Sequence, residues 1–180
     1  HDNDGDRDLL LAQYAGRLVF YDNRDGRFVR EDVGFDRLVS NPTSIVAADF
    51  TGNGCLDVFV TQTGLWSGTT PLTLAQAERV AANHPDVRPH SESGKPNLLY
   101  YGDCEGFSDA TERAGIRGHQ WSLASLAADF TGDGFPDIHV GNDWTGDQLY
   151  VNGGDGTFAR HTMGPETDRN AMSSTVKDMN

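Results

Sequence analysis

Three observations predict an all-β chain of repeated four-stranded antiparallel units. An Asp-rich loop recurs in register, β-forming runs stand on both sides of it, and a Gly-rich turn then joins two further runs. The loops are His1-Asp-Asn-Asp-Gly-Asp-Arg-Asp8, Asp49-Phe-Thr-Gly-Asn-Gly-Cys-Leu-Asp57 and Asp129-Phe-Thr-Gly-Asp-Gly-Phe-Pro-Asp137, and a fourth begins at Asp178-Met-Asn180. The loop glycines Gly5, Gly54 and Gly134 stand 49 and 80 residues apart, and Asp129 to Asp178 is again 49. The period is therefore 49 residues, and the second unit carries an insertion of 31.

Each element follows from its residues. Short runs rich in β-formers precede the loops at 44–48, 123–128 and 173–176, and others follow them at 9–14, 58–61 and 138–140. Hairpins come next. Leu18-Val-Phe-Tyr21 turns through 22–26 into Phe28, Leu98-Leu-Tyr-Tyr101 through 102–106 into Phe107, and Gln148-Leu-Tyr-Val151 through 152–156 into Phe158. By this alignment the middle turn is one residue shorter than the other two. Four antiparallel strands per repeat of this length are the signature of a β-propeller blade. A sandwich of unrelated hairpins would not require a fixed period with like loops. The units are 1–43, 44–122 with the insertion at 65–96, 123–172, and the start of another at 173–180, about three blades in one domain. Within the insertion a short helix is expected from Leu74 to Asn83, with Thr73 as N-cap, Gln76 completing a capping box and His84-Pro85 ending it.

The loops carry the chemistry. Numbered from the first Asp, side-chain oxygens fall at positions 1, 3, 5 and 9, with Gly at 6. In the second loop these are Asp49, Thr51, Asn53 and Asp57, and in the third Asp129, Thr131, Asp133 and Asp137. In the first, Asp2, Asp4 and Asp8 supply positions 3, 5 and 9, and Asp178 and Asn180 open the fourth. Asp6, Cys55 and Phe135 stand at position 7, where the backbone carbonyl is the expected donor. Ca²⁺ takes hard oxygen ligands from alternate residues of a tight loop, and Gly permits the bend. Mg²⁺ prefers a smaller site and keeps its waters, and transition metals want His or Cys ligands, which do not recur here. The second loop, with two carboxylates, is expected to bind more weakly than the third. Asx-turns without a metal are the alternative reading.

The formal net charge of −13 is concentrated in these loops and disfavours nucleic acid and anionic membranes as partners. No apolar run reaches the length of a membrane-spanning helix. No signal peptide is visible, and the chain starts at His1, so a mature protein or part of a longer propeller is expected. Asn41-Pro42-Thr43 cannot be N-glycosylated. Cys55 and Cys104 sit in turns that emerge on one face of the second blade, beside neighbouring strands, so a disulfide is expected, in keeping with an oxidising compartment. Trp66, Trp121, Trp144, His90, His119 and His161 fall toward the opposite face, where a ligand could be held, although each Trp could equally pack between blades. No Gly-x-Ser-x-Gly elbow, His-Glu-x-x-His or phosphate loop occurs, so no enzyme is expected.

The units resemble the VCBS/FG-GAP repeats of integrin-α-type propellers, and most nearly the extracellular cartilage-acidic-protein (ASPIC/UnbV) type. The carriers are the third loop, Gln148-Leu-Tyr-Val-Asn-Gly-Gly-Asp-Gly-Thr-Phe158, Phe107-Ser-Asp-Ala-Thr-Glu-Arg-Ala-Gly115, and 171–178. The resemblance implies a calcium-bearing propeller at the cell surface, outside the cell or in the periplasm, with a binding or adhesive role toward a protein or glycan. A sugar-binding lectin, a polysaccharide-active enzyme and a self-associating filament subunit are the alternatives.

Overall fold

A computed structural model describes residues 2, 4–63, 94–143, 145–163 and 173–177. Eleven strands run along them: β1 (Leu9–Leu11), β2 (Val19–Arg24), β3 (Arg27–Glu31), β4 (Pro42–Ala48), β5 (Asp57–Gln62), β6 (Leu98–Gly102), β7 (Phe107–Asp109), β8 (Trp121–Ala128), β9 (Asp137–Asp143), β10 (Asp147–Asn152) and β11 (Phe158–Met163). They form three open antiparallel sheets, β1-β2-β3, β4-β5-β6-β7 and β8-β9-β10-β11. Each sheet is a meander, as the repeat predicts for successive blades. The first comprises the three strands that follow its Asp loop. Residues 173–176, expected as strand, belong to no sheet. No helix occurs among the described residues, and the expected helix at 74–83 lies outside them.

The sheet register corrects one alignment. Asp8, Asp57 and Asp137 are equivalent, and so are the partners one strand over: Leu9 pairs with Tyr21, Val58 with Tyr100 and Ile138 with Tyr150. Asn23, Gly102 and Asn152 therefore occupy one position, facing Phe28, Phe107 and Phe158 across the hairpin. The third turn is the longest, and the middle one matches the first. The reason is that β2 continues through Arg24 and closes on Asp25 and Gly26, both at positive φ.

Alternation along the strands builds two cores. Leu18, Phe20, Val33, Phe35 and Val39 meet Val58, Val60, Leu98 and Tyr100 between the first and second blades. Phe50, Phe59, Leu99, Ala110, Ala114 and Ile116 meet Ile138, Val140, Tyr150 and Phe158 between the second and third. The middle blade is covered on both faces, so β5 is buried at every position, with Val58, Phe59 and Val60 as its apolar centre. Burying each large side chain contributes on the order of 1.5–3 kcal/mol. The links lock the stack: the Phe107 amide donates to the Val33 carbonyl at 2.6 Å and the Phe158 amide to the Ala114 carbonyl at 2.9 Å.

Candidate metal centre

The second and third loops repeat one hydrogen-bond pattern. Asp49 at position 1 accepts from the amides of Gly52 at 2.7 Å, Asn53 at 3.1 Å and Gly54 at 2.8 Å. Asp129 does the same with Gly132 at 2.6 Å, Asp133 at 3.2 Å and Gly134 at 2.8 Å. Those amides, Gly134 foremost, hold the Asp129 carboxyl below its ordinary range. At position 3, the hydroxyls of Thr51 and Thr131 lie 3.5 and 3.4 Å from the same carboxylates.

Position 5 unites all three loops. Its side-chain oxygen accepts from the position 7 amide: Asp6 to Asp4 at 3.0 Å, Cys55 to Asn53 at 2.8 Å and Phe135 to Asp133 at 3.0 Å. Side-chain oxygens at alternate positions are thus curled back over the loop, which is what the spacing predicts of either a metal loop or an Asx-turn.

Position 9 does something further. Asp57 and Asp137 are fully buried. Asp57 accepts from Phe50 at 2.8 Å and Thr51 at 3.1 Å through Oδ2, and from Gly102 at 2.8 Å through Oδ1. Asp137 accepts from Phe130 at 2.9 Å and Asn152 at 2.8 Å. Asp8 accepts from Asn23 at 3.1 Å. This carboxylate clasps the start of the loop to the neighbouring strand. Burial pushes the Asp57 carboxyl up, against those amides. Each carboxylate oxygen has two lone pairs; Asp137 accepts one of these amides on each oxygen, whereas Oδ2 of Asp57 is filled by two.

The first loop gathers the most charge. Asp2, Asp4 and Asp22 each bring a carboxylate oxygen within 4.8 Å of the others. Loss of solvent, and then the carboxylates of Asp4, Asp8, Asp22 and Asp2, push the Asp6 carboxyl above its usual range. Asp22 is a member that loop spacing does not reveal. It sits on β2 opposite Asp8, and only the register shows it; Arg24 Nε, 2.5 Å away, shares its charge.

Cys55 and Cys104 are joined by a disulfide, Cα to Cα 5.3 Å, between the second loop and the β6–β7 turn. Trp121 is buried at the start of β8, whereas His119 and His161 are exposed. Trp66, His90, Trp144, Asp178 and Asn180 lie outside the described residues.

Residues 1–60 and 129–180 match the profile of the FG-GAP-like repeat family. No match to a curated protein is found. The matched residues take in the first, second and third loops whole and make up more than half of the chain, so the chain belongs to the FG-GAP-like repeat family.

Proposed function

We propose that these blades form an extracellular binding or adhesion module whose Asp loops hold Ca²⁺. The observation that carries the metal reading is the carboxylate group Asp2, Asp4 and Asp22 within 4.8 Å, in a loop whose curl recurs twice more. Like charges this close repel, and a divalent cation offsets that repulsion. Asp129, Thr131, Asp133 and Asp137, with the Phe135 carbonyl, would hold it in the third loop; Asp49, Thr51, Asn53 and Asp57, with the Cys55 carbonyl, in the second. The ion would supply charge neutralisation and a cross-link within each loop. The disulfide and the family favour an oxidising, extracellular setting. The closer kinship with ASPIC/UnbV-type proteins rests on 107–115 and 171–178 and extends the same reading.

Thermal unfolding in millimolar calcium and in excess chelator tests this, with metal analysis of the same sample. A site filled to about a hundred times its Kd adds about 2.7 kcal/mol. A higher Tm in calcium than in chelator, not reproduced by magnesium, is the expected result. Zero bound calcium together with an unmoved Tm would overturn it.

One observation favours a glycan as the ligand. A cavity of about 520 Å³ on the face opposite the Asp loops is lined by Pro96, Ile116 and Gly118 together with Arg37, Thr111, Glu112, Arg117 and His119. The charged and imidazole groups of Arg37, Glu112, Arg117 and His119 suit hydroxyls, and Pro96 and Ile116 offer apolar surface, in a volume suited to one or two sugar rings. Titration with glycans, wild type against Arg117→Ala, tests it; equal response of both sinks it.

A further inference from the structure

We infer that the Cys55–Cys104 disulfide sets the calcium affinity of the second loop, so that its reduction weakens that site and leaves the first and third loops as they were. The inference rests on the calcium reading of the Asp loops. It starts from a deficit. The second loop brings two carboxylates, Asp49 and Asp57, where the third brings Asp129, Asp133 and Asp137. Affinity in such loops depends on ligand charge and on the rigidity of the site. A loop short of charge therefore depends more on being held in shape before an ion arrives.

The sheet register shows what holds it. Asn23, Gly102 and Asn152 share one position, so the residues two places on, Asp25, Cys104 and Gly154, share another. All three stand at positive φ, 54°, 67° and 77°. In the third blade the ring of Phe135, at loop position 7, lies over this point of the turn: a Cβ on Gly154 would come within 2.9 Å of it. In the second blade the same two places are Cys55 and Cys104, joined covalently. In the first they are Asp6 and Asp25. Position 7 is also the residue whose carbonyl the loop offers to the ion. Of these three loops, the one with the fewest carboxylates thus carries a covalent tether on its backbone donor. The far end of the tether is itself fixed, because Asp103 accepts from the amides of Glu105 at 3.0 Å and Gly106 at 2.8 Å within the turn. Without the S–S bond the loop keeps the Asn53 to Gly102 hydrogen bond, which water can replace; water cannot replace the covalent link. Reduction by a dithiol breaks the Sγ–Sγ bond: the two sulfurs gain two electrons and two protons as thiols, and the dithiol closes to its own disulfide. Coupling of this kind is reciprocal, so calcium protects the disulfide by the factor by which the disulfide favours calcium.

Calorimetric titration of the 180-residue chain with calcium, oxidised and again after dithiol reduction, tests this. Reduction should weaken one site about tenfold and leave the others unchanged. Asp49→Asn identifies that site: in this variant reduction should change nothing, whereas Asp129→Asn should leave the effect of reduction intact. The double variant Cys55→Ser, Cys104→Ser should behave as the reduced chain does, and its third loop, binding as before, reports that it is folded. In a dithiol redox buffer, saturating calcium should shift the disulfide equilibrium about tenfold, or about 30 mV, toward the oxidised chain. Equal calcium binding by the oxidised and reduced chains would overturn the inference and leave the calcium reading standing. So would loss of every site together on reduction, which marks a tether that merely holds the fold, or a disulfide equilibrium that ignores calcium. An oxidised chain that binds no calcium would overturn both.

Discussion

The Asp at loop position 9 has two tasks. Both oxygens of Asp137 are taken by backbone amides, one at the head of the loop and one on β10, with no exposure to solvent. Asp137→Ala leaves those amides without a partner and should cost about 3 kcal/mol, since a hydrogen bond to a buried charge contributes roughly 1.5–3. Urea unfolding in chelator measures this with any metal contribution removed, and a cost below half a kcal/mol would refute the clasp. Asp109 behaves differently. Burial alone would raise its carboxyl, but the Thr111 hydroxyl and amide and the Arg37 guanidinium, 3.0 Å away, outweigh it and hold the group below its ordinary range. A depressed carboxyl stabilises the fold above the unfolded value of about 3.9, and that stability fades as pH falls through the folded value. The stability gap between wild type and Asp109→Asn, about 1 kcal/mol near neutrality for a partly exposed pair, should therefore close on acidification from pH 6 to 3. Position 9 as a recurrent carboxylate was legible from spacing. Its grip on the next strand was not, because the hairpin register decides which amide lies within reach.

Each blade fastens its Asp loop to its hairpin in its own way. Asn23 and Asn152 reach the carbonyl at loop position 8, Arg7 and Pro136. In the middle blade that position is Gly102, where a side-chain carbon would lie 2.2 Å from the Leu56 carbonyl oxygen. There Asn53 donates to Gly102 instead, at 2.8 Å, and the Cys55–Cys104 disulfide closes a separation of 49 residues. Replacing both cysteines with serine should cost about 4 kcal/mol by loop-closure entropy, read from urea midpoints; no change would mean that the hydrogen bonds suffice. The link glycines hold blade to blade. Gly34, at φ +97°, would place a Cβ 2.2 Å from the Phe107 carbonyl, whereas Gly26, at φ +87°, has open space. Gly34→Ala should therefore lower Tm well beyond Gly26→Ala, which bears only the left-handed backbone cost of roughly 1–2 kcal/mol. Equal losses would show that the link yields. The four-strand meander and its loops were legible from periodicity alone. The one-residue shift of the first hairpin was not, because its turn is set by where pairing closes rather than by the Gly count.

At the scale of the whole molecule, a net charge of −13 works against compaction. Raising NaCl from about 20 to about 300 mM in chelator should raise Tm by screening, and saturating calcium should shrink that gain by neutralising the loops first. An equal salt response with and without calcium would separate the charge from the loops. The residues by themselves determined the all-β repeat, the 49-residue period, the Asp ladder and the pairing of Cys55 with Cys104, since local spacing and turn chemistry suffice for these. The tertiary structure alone decided that Asp22 joins the first loop, that Trp121 turns inward, and that Phe50 is buried while its equivalent Phe130 is not. The physical reason is that like positions in a repeat have like local structure, and only what the fold packs against each of them decides what covers it.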